Sequence, residues 1–289
     1  MRARLLLALA VAMSLLAAPS PDAQQRQQPV FGASVETVHV DAFVTRGGSP
    51  VLGLEASDFE LKDNGVVQRI ELAAAGSQPL LAVLAFDTSG SLAGEKLVAL
   101  RAASQALMAG LRPEDEVALI TFAEELDRWI PPTRDRSRVL AALQRATVGG
   151  ATAVLDSLYV ALTLPLTKDR ALVVLFTDGE DNMSWLDWHE LQQVALRSNA
   201  LLHVVGLRQA AGWAMCPIAE ATGGRCWQAS SLERVRTAFG DIADTMSRRY
   251  VLRYEPQGVK RPGWHTLDVR LRTKRGDIQA RRGYWVAER

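Results

Sequence analysis

The stretch Leu81-Ala82-Val83-Leu84-Ala85-Phe86-Asp87-Thr88-Ser89-Gly90-Ser91 decides how this chain folds. Six consecutive apolar residues end on an aspartate, and small hydroxylated residues and a glycine follow. A strand apolar at every position, not every second one, is covered on both faces, as in a parallel sheet packed between helices. An amphipathic helix from about Glu95 to Leu111 comes next, with Leu97, Leu100, Leu107 and Leu111 near helical spacing. Strand and helix then alternate. Val117–Phe122, Ala171–Phe176 and Leu201–Gly206 are apolar strands; Ser137–Ala146, Val154–Leu164, Asp187–Ser198 and segments near 215–222 and 232–247 are helical. This order predicts an α/β fold with a doubly wound, mostly parallel sheet.

The flanks read differently. Val38–Val44 alternates apolar and polar residues, and Asp63-Asn64-Gly65 between Phe59-Glu60-Leu61 and Val67-Gln68-Arg69-Ile70 signals a hairpin, because Asn-Gly supplies the positive φ angles of a tight turn. After Arg249, alternating strands recur at Tyr250–Tyr254, His265–Leu271 and Tyr284–Val286 with no helical stretch between them. Each flank alone has too few strands to be stable. The expectation is a small all-β, sandwich-like unit built from 34–77 and 249–289, with the α/β domain, 78–248, inserted between its halves.

The extreme N-terminus has its own logic. Arg2 and Arg4 precede the apolar run Leu5–Ala18, and the small residues Ala18, Ser20 and Ala23 follow. That is the order of a secretory signal peptide, placed at 1–23, and the run is shorter than the roughly 20 residues a membrane helix needs. Residues 24–33, rich in Gln, read as a flexible leader. The mature chain is therefore expected to be secreted or periplasmic, with no stable membrane span. A formal net charge of +1 gives no general attraction to nucleic acid, and 48% hydrophobic residues are ordinary for a globular chain. Export also permits a disulfide between the only two cysteines, Cys216 and Cys226, joined across a short helix stopped by Gly223-Gly224; two unpaired thiols are the alternative.

Ligands of open α/β sheets bind at the carboxyl ends of the strands. There the chain places Asp87, Ser89 and Ser91 after one strand and Thr177-Asp178-Gly179 after another, with Gly149-Gly150-Ala151-Thr152 leading into a helix between them. Two carboxylates and several hydroxyls are hard oxygen donors suited to Mg2+, Mn2+ or Ca2+, and the absence of Cys and His from the set disfavours zinc or copper. Two aspartates only neutralise a divalent ion, which leaves it an acceptor for one more anionic oxygen. Asp, Ser and Gly after a strand are also ordinary turn and cap residues, so the aspartate loop alone would be ambiguous.

The set resembles the metal-ion-dependent adhesion site of the von Willebrand factor A domain: a DxSxS loop, a threonine from a second loop and an aspartate opening a TDG-like turn. Asp87, Ser89, Ser91, Thr152 and Asp178 match those positions, and the likeness covers about residues 78–248. The flanks, with Gly53-Leu54, Ala56, Asp58-Phe59-Glu60 and Ala280-Arg281-Arg282-Gly283-Tyr284, resemble exported bacterial VWFA-related proteins. Ala151 is a departure, standing where the family often has threonine directly after the glycine pair. The resemblance implies a divalent cation, magnesium foremost, and a protein partner that presents Asp or Glu to it. Trp185 and Trp188, beyond Asp178, are candidate partner contacts, or else an apolar entry to the next helix.

Two other readings compete with adhesion or complex assembly. A metal-dependent hydrolase finds little support. There is no G-x-S-x-G elbow, the second aspartate of phosphoryl-transferring enzymes is replaced by Ser89, and His39, His189, His203 and His265 read as core or surface histidines. The chain is therefore expected not to be an enzyme. In the remaining reading the metal only stabilises the fold.

Overall fold

The structure, a computed structural model, describes residues 37–73, 78–165, 170–207, 212–259 and 262–286. The signal segment 1–23 and the leader 24–33 lie outside them. The N-terminal flank forms β1 (Val38–Arg46), β2 (Ser49–Pro50), β3 (Phe59–Asp63), β4 (Val66–Val67) and β5 (Ile70–Ala73). The central part runs β6 (Leu81–Asp87), α1 (Glu95–Gly110), β7 (Glu116–Phe122), β8 (Leu126–Thr133), α2 (Arg136–Gln144), α3 (Val154–Thr163), β9 (Ala171–Thr177), α4 (Trp188–Arg197), β10 (Ala200–Leu207), α5 (Gly212–Ala221), β11 (Arg225–Ala229) and α6 (Leu232–Ser247). The C-terminal flank adds β12 (Tyr250–Tyr254), β13 (Gly263–Leu271), β14 (Asp277–Gln279) and β15 (Gly283–Val286).

Among the described residues, β6 to β11 build one six-stranded sheet in the order β11-β10-β9-β6-β7-β8. All its pairings are parallel except β7 with β8. Every residue of β6, β9 and β10 is buried. The pleat explains this: Leu84, Phe86, Val174 and Phe176 face α1, α2 and α6, while Val83, Ala85, Val173 and Leu175 face α3, α4 and α5. These mostly apolar strands thus feed two cores, one on each side.

Two edge strands differ from the sequence reading, which assigned no strand to Leu126–Thr133 or Arg225–Ala229. β8 carries Pro131-Pro132 and is largely solvent-facing, and β11 carries Arg225 and Gln228. Edge strands need neither an apolar run nor every N–H, so periodicity does not reveal them. The N-terminal hairpin is also shorter than expected. Asn64 and Gly65 adopt positive φ of 47° and 82° as the turn requires, but only Lys62 and Asp63 pair with Val67 and Val66. Ile70 then starts β5 in a different sheet, against Tyr254 of β12.

The flanking strands interleave across the chain. β1 pairs antiparallel with β12 and β14, and β3 with β13. The two resulting sheets, β14-β1-β12-β5 with β2 on β1 and β15-β13-β3-β4, share one apolar cluster that includes Val40, Phe59, Leu61, Leu252 and Leu267. Arg249 and Arg281, both buried, bind these strands to the α/β part. Arg249 Nη2 donates to the carbonyls of Asp41, Gly223 and Gln279 at 3.2, 2.8 and 3.2 Å. Arg281 donates to Ser198 O, Gly283 O and Asn199 Oδ1. The approach is close enough to require glycine. At Gly223, with φ of 82°, an added Cβ would sit 2.5 Å from the Arg281 nitrogen. Beside this turn Cys216 and Cys226 form a disulfide between α5 and β11.

His203 sits inside β10, fully buried, with Nδ1 accepting from the Arg225 N–H at 2.9 Å and its ring edge-on to Trp227. Burial, with the positive charge of Arg249 nearby, lowers its pKa to about 3. A folded-state value below the unfolded one, near 6.5, means the folded chain favours the neutral histidine. Its contribution is complete above about pH 6.5 and is lost as pH falls toward 3, by about 1.4 kcal/mol per pH unit. His203→Asn keeps an acceptor for Arg225 but no titrating group. Urea unfolding at about pH 7 and about pH 4.5 is expected to show the variant losing roughly 3 kcal/mol less stability over that interval than the parent. Equal losses in both proteins would contradict this.

Candidate functional site

The C-terminal ends of β6 and β9 are neighbours in the parallel register, with Phe86 opposite Phe176. Asp87 is the last residue of β6, and Asp178 directly follows β9. Strand order reverses here, since α1 carries the chain from β6 to β7 on one side while β9 lies on the other. The crevice outside such a switch point is where open α/β sheets bind ligands.

Asp87 is fully buried, so its carboxylate needs local donors. The Ser89 N–H donates to Oδ1 at 2.8 Å and the Thr177 hydroxyl to Oδ2 at 2.6 Å. Burial pushes its pKa above the ordinary aspartate value, the Ser89 and Thr177 hydrogen bonds oppose that, and the charge of Asp178 adds to it. Ser89 Oγ and Ser91 Oγ lie 3.2 Å apart, and Ser91 Oγ donates to Asp178 Oδ1 at 2.6 Å. The other Asp178 oxygen pairs with the Lys96 ammonium from the first turn of α1. Lys96 also donates to the Ser91 carbonyl at 2.9 Å.

Thr152 is buried and enters from the loop before α3. A Cβ built on Gly179 would lie 3.3 Å from Thr152 Oγ1, 3.8 Å from Asp87 Oδ2 and 3.9 Å from Ser91 Oγ. Oxygens from two separate loops therefore border the open side of Gly179, which lies on a third. All five residues expected from the sequence come together. Ala151 does not displace Thr152; its N–H donates to Glu124 Oε1 at 3.2 Å and turns the chain inward.

The loops are fastened to one another. Gly90 N–H donates to Gly150 O, and Gly149 N–H to Thr88 O, which ties the aspartate loop to the glycine loop. On the other side Asn182 Oδ1 accepts from the Thr152 N–H, and Thr152 O accepts from the N–H groups of Asn182 and Met183. Asp181 and Ser184 accept from the first N–H groups of α3 at Val154, Leu155 and Asp156. These donors would otherwise be unsatisfied at a helix start. Asp156 in turn receives the N–H groups of Trp185 and Leu186. Sequence reading missed Asp181, Asn182 and Ser184. Their signal was present: a run of capping residue types in a loop with no helix of its own to cap until Asp187.

The same bonds fix Trp185, which is 96% exposed. Met183 and Trp188, close by in sequence, are partly exposed, whereas Leu186 packs on the core. Trp185 is thus held by its backbone while its ring stands in solvent.

The donor set is two carboxylates and three hydroxyls, all hard oxygen ligands whose chemistry fits a divalent cation of the Mg2+, Mn2+ or Ca2+ class. Among the described residues no cluster of three or more His, Cys, Asp or Glu gathers. Among them, too, no helix is long and apolar enough to cross a membrane.

Comparison with known proteins bears on the fold. Residues 82–180 match the sequence model of the von Willebrand factor type A domain. A solved von Willebrand factor type A protein from Catenulispora acidiphila superposes with a TM-score of 0.56 at 15% identity, covering 84% of this chain and 76% of that one. Proximal thread matrix protein 1 from the mussel byssus superposes with a TM-score of 0.51 at 12% identity, covering 64% and 50%. At these identities the likeness is one of fold. Calcium-activated chloride channel regulator 1 from Equus caballus is 30% identical over 151 residues, which are 49% of this chain and 16% of the horse protein. The chain thus spans a small part of that relative's length.

Proposed function

We propose, from the premise that the α/β part of this chain is a von Willebrand factor type A domain, that the chain is an exported, non-enzymatic module that binds a protein partner through a divalent cation. Asp87, Ser89, Ser91, Thr152 and Asp178 would hold the cation, magnesium foremost and manganese or calcium as alternatives. When bound, the cation supplies a Lewis-acidic position for a partner's Asp or Glu oxygen. The protein's own residues do the rest. Thr177 and Ser89 donate to Asp87 and aim its carboxyl, Ser91 orients Asp178, and Asn182 holds the Thr152 backbone. Trp185, presented by Asp156, is a partner contact, because an exposed tryptophan beside a binding centre is a common anchor. The arginine pair and apolar run at the N-terminus support export to the cell exterior or periplasm.

The observation that carries this reading is the meeting of Thr152 Oγ1, Asp87 Oδ2 and Ser91 Oγ around the open side of Gly179. The neutral hydroxyls bring no charge, so the two carboxylates only just neutralise a bound divalent ion and leave it open to a further anionic oxygen. The purely structural alternative separates cleanly. Affinity capture from an extracellular extract is run in Mg2+, in chelator, and with Asp87→Ala in Mg2+. The expected result is capture only in the first condition, with melting temperatures of all three within a few degrees. Capture that is indifferent to chelator would overturn the reading. So would a large loss of melting temperature on chelation with no metal-dependent capture.

A further inference from the structure

The site contains a cation of its own. Lys96 reaches from α1 over the rim, its ammonium paired with Asp178 Oδ2 and donating to the Ser91 carbonyl at 2.9 Å. The Asp178 side chain is 2% exposed and that of Lys96 29%, so the ion pair lies where the buried carboxylate meets solvent. Both Asp178 oxygens are engaged, one by Lys96 and the other by Ser91 Oγ at 2.6 Å. Ser91 is itself engaged twice, through its hydroxyl and its carbonyl.

Charge counting shows what this does to a divalent ion. Asp87 and Asp178 contribute two negative charges, which a divalent ion alone would neutralise. Lys96 has already cancelled one of them. A loaded site therefore carries a net positive charge, with the ammonium and the ion competing for the same carboxylate. Resting on the metal reading above, we propose that Lys96 is an affinity-setting residue that opposes the divalent cation at Asp178. The site thereby holds its ion weakly and loads only where divalent ion is abundant. Like-charge repulsion over a few ångströms, screened by the solvent that Lys96 meets, corresponds to roughly a ten-fold change in binding constant.

Isothermal titration of the full chain with MnCl2 alone, at fixed ionic strength, tests this. Lys96→Gln removes the charge and keeps a donor; Lys96→Arg keeps the charge; Lys96→Met is a second neutral variant should the glutamine fail to fold. Expected is roughly ten-fold tighter binding in Lys96→Gln and Lys96→Met, with Lys96→Arg within about two-fold of the parent. A merely structural lysine would not produce that split between neutral and charged replacements. If the parent binds manganese and the neutral variants bind it equally or more weakly, Lys96 does not oppose the ion and this inference falls while the metal reading stands. If neither the parent nor the neutral variants bind manganese, the metal reading falls and this inference with it.

Discussion

Arg249→Ala is expected to destabilise the chain by about 3–5 kcal/mol, the range seen when one member of a buried charged network is removed. Arg249 is fully buried at the end of α6, one residue before β12. Its Nη2 is shared by carbonyls from three places: β1 at Asp41, the α5–β11 turn at Gly223, and β14 at Gln279. Nε lies 3.9 Å from Asp41 Oδ1, an ion pair that Arg170 also makes at 3.1 Å. Burial lowers the guanidinium pKa to about 10, with Asp41 opposing and Arg170 adding to the shift, so the charge is held at real cost and is retained at neutral pH. Truncation leaves three carbonyls without this donor and a void where the side chain lay. Thermal unfolding is expected to fall by roughly 10 °C. Arg249→Met fills the void without restoring the donor, so its loss should be smaller than that of alanine. Stability of the alanine variant within about 1 kcal/mol of the parent would show that the guanidinium does not join the flanking strands to the α/β part.

The second large effect is expected at Asp63, at the end of β3. Its carboxylate is fully buried and serves three partners: His265 Nδ1 at 2.8 Å, Tyr254 OH at 2.9 Å and Tyr284 OH at 2.8 Å. Both tyrosine hydroxyls donate to Oδ2, and burial pushes the Tyr254 hydroxyl pKa far up, so it stays a donor at any working pH. The cluster joins β3, β12, β13 and β15, which belong to two different sheets. Asp63→Ala removes the shared acceptor and is expected to lower stability by about 3–5 kcal/mol, since each stranded buried polar group is worth about 1–3 kcal/mol and such losses are not additive. The network origin of the effect can be separated from packing. Tyr254→Phe with Tyr284→Phe in the Asp63→Ala background removes two hydroxyls that lost this acceptor, and part of the lost stability should return. If the triple variant is no more stable than Asp63→Ala, the hydroxyl network is not what the aspartate supports.

These residues also show where sequence reading reaches and where it stops. β6, β9 and β10 were legible because burial on both faces leaves a nearly continuous apolar run, interrupted inside β10 only by the buried His203. β8 and β11 were not, because an edge strand with Pro131-Pro132 or with Arg225 and Gln228 has no such constraint. At the candidate site, the meeting of Asp87, Ser89, Ser91, Thr152 and Asp178 was expected from their places at the end of a strand, just beyond one or just before a helix at one sheet edge, together with the resemblance to the adhesion site. Lys96 could not: a lysine in the first turn of an amphipathic helix reads as solvated surface, and only the crossing of α1 over the aspartate loop brings it to Asp178. Asp63 and His265 lie 202 residues apart, and Arg249 binds strands from both ends of the chain. No local pattern encodes such pairings; they follow from the interleaving of β1 and β3 with β12 to β15.

The central claim concerns a cation at one place, so locating the ion is the most direct test. Crystals grown or soaked in MnCl2, measured at a wavelength where manganese scatters anomalously, are predicted to show a single strong anomalous peak among Asp87, Ser89, Ser91, Thr152 and Asp178, absent from Asp87→Ala crystals treated alike. No peak at that position in the parent protein, or a peak that survives Asp87→Ala, would contradict the account.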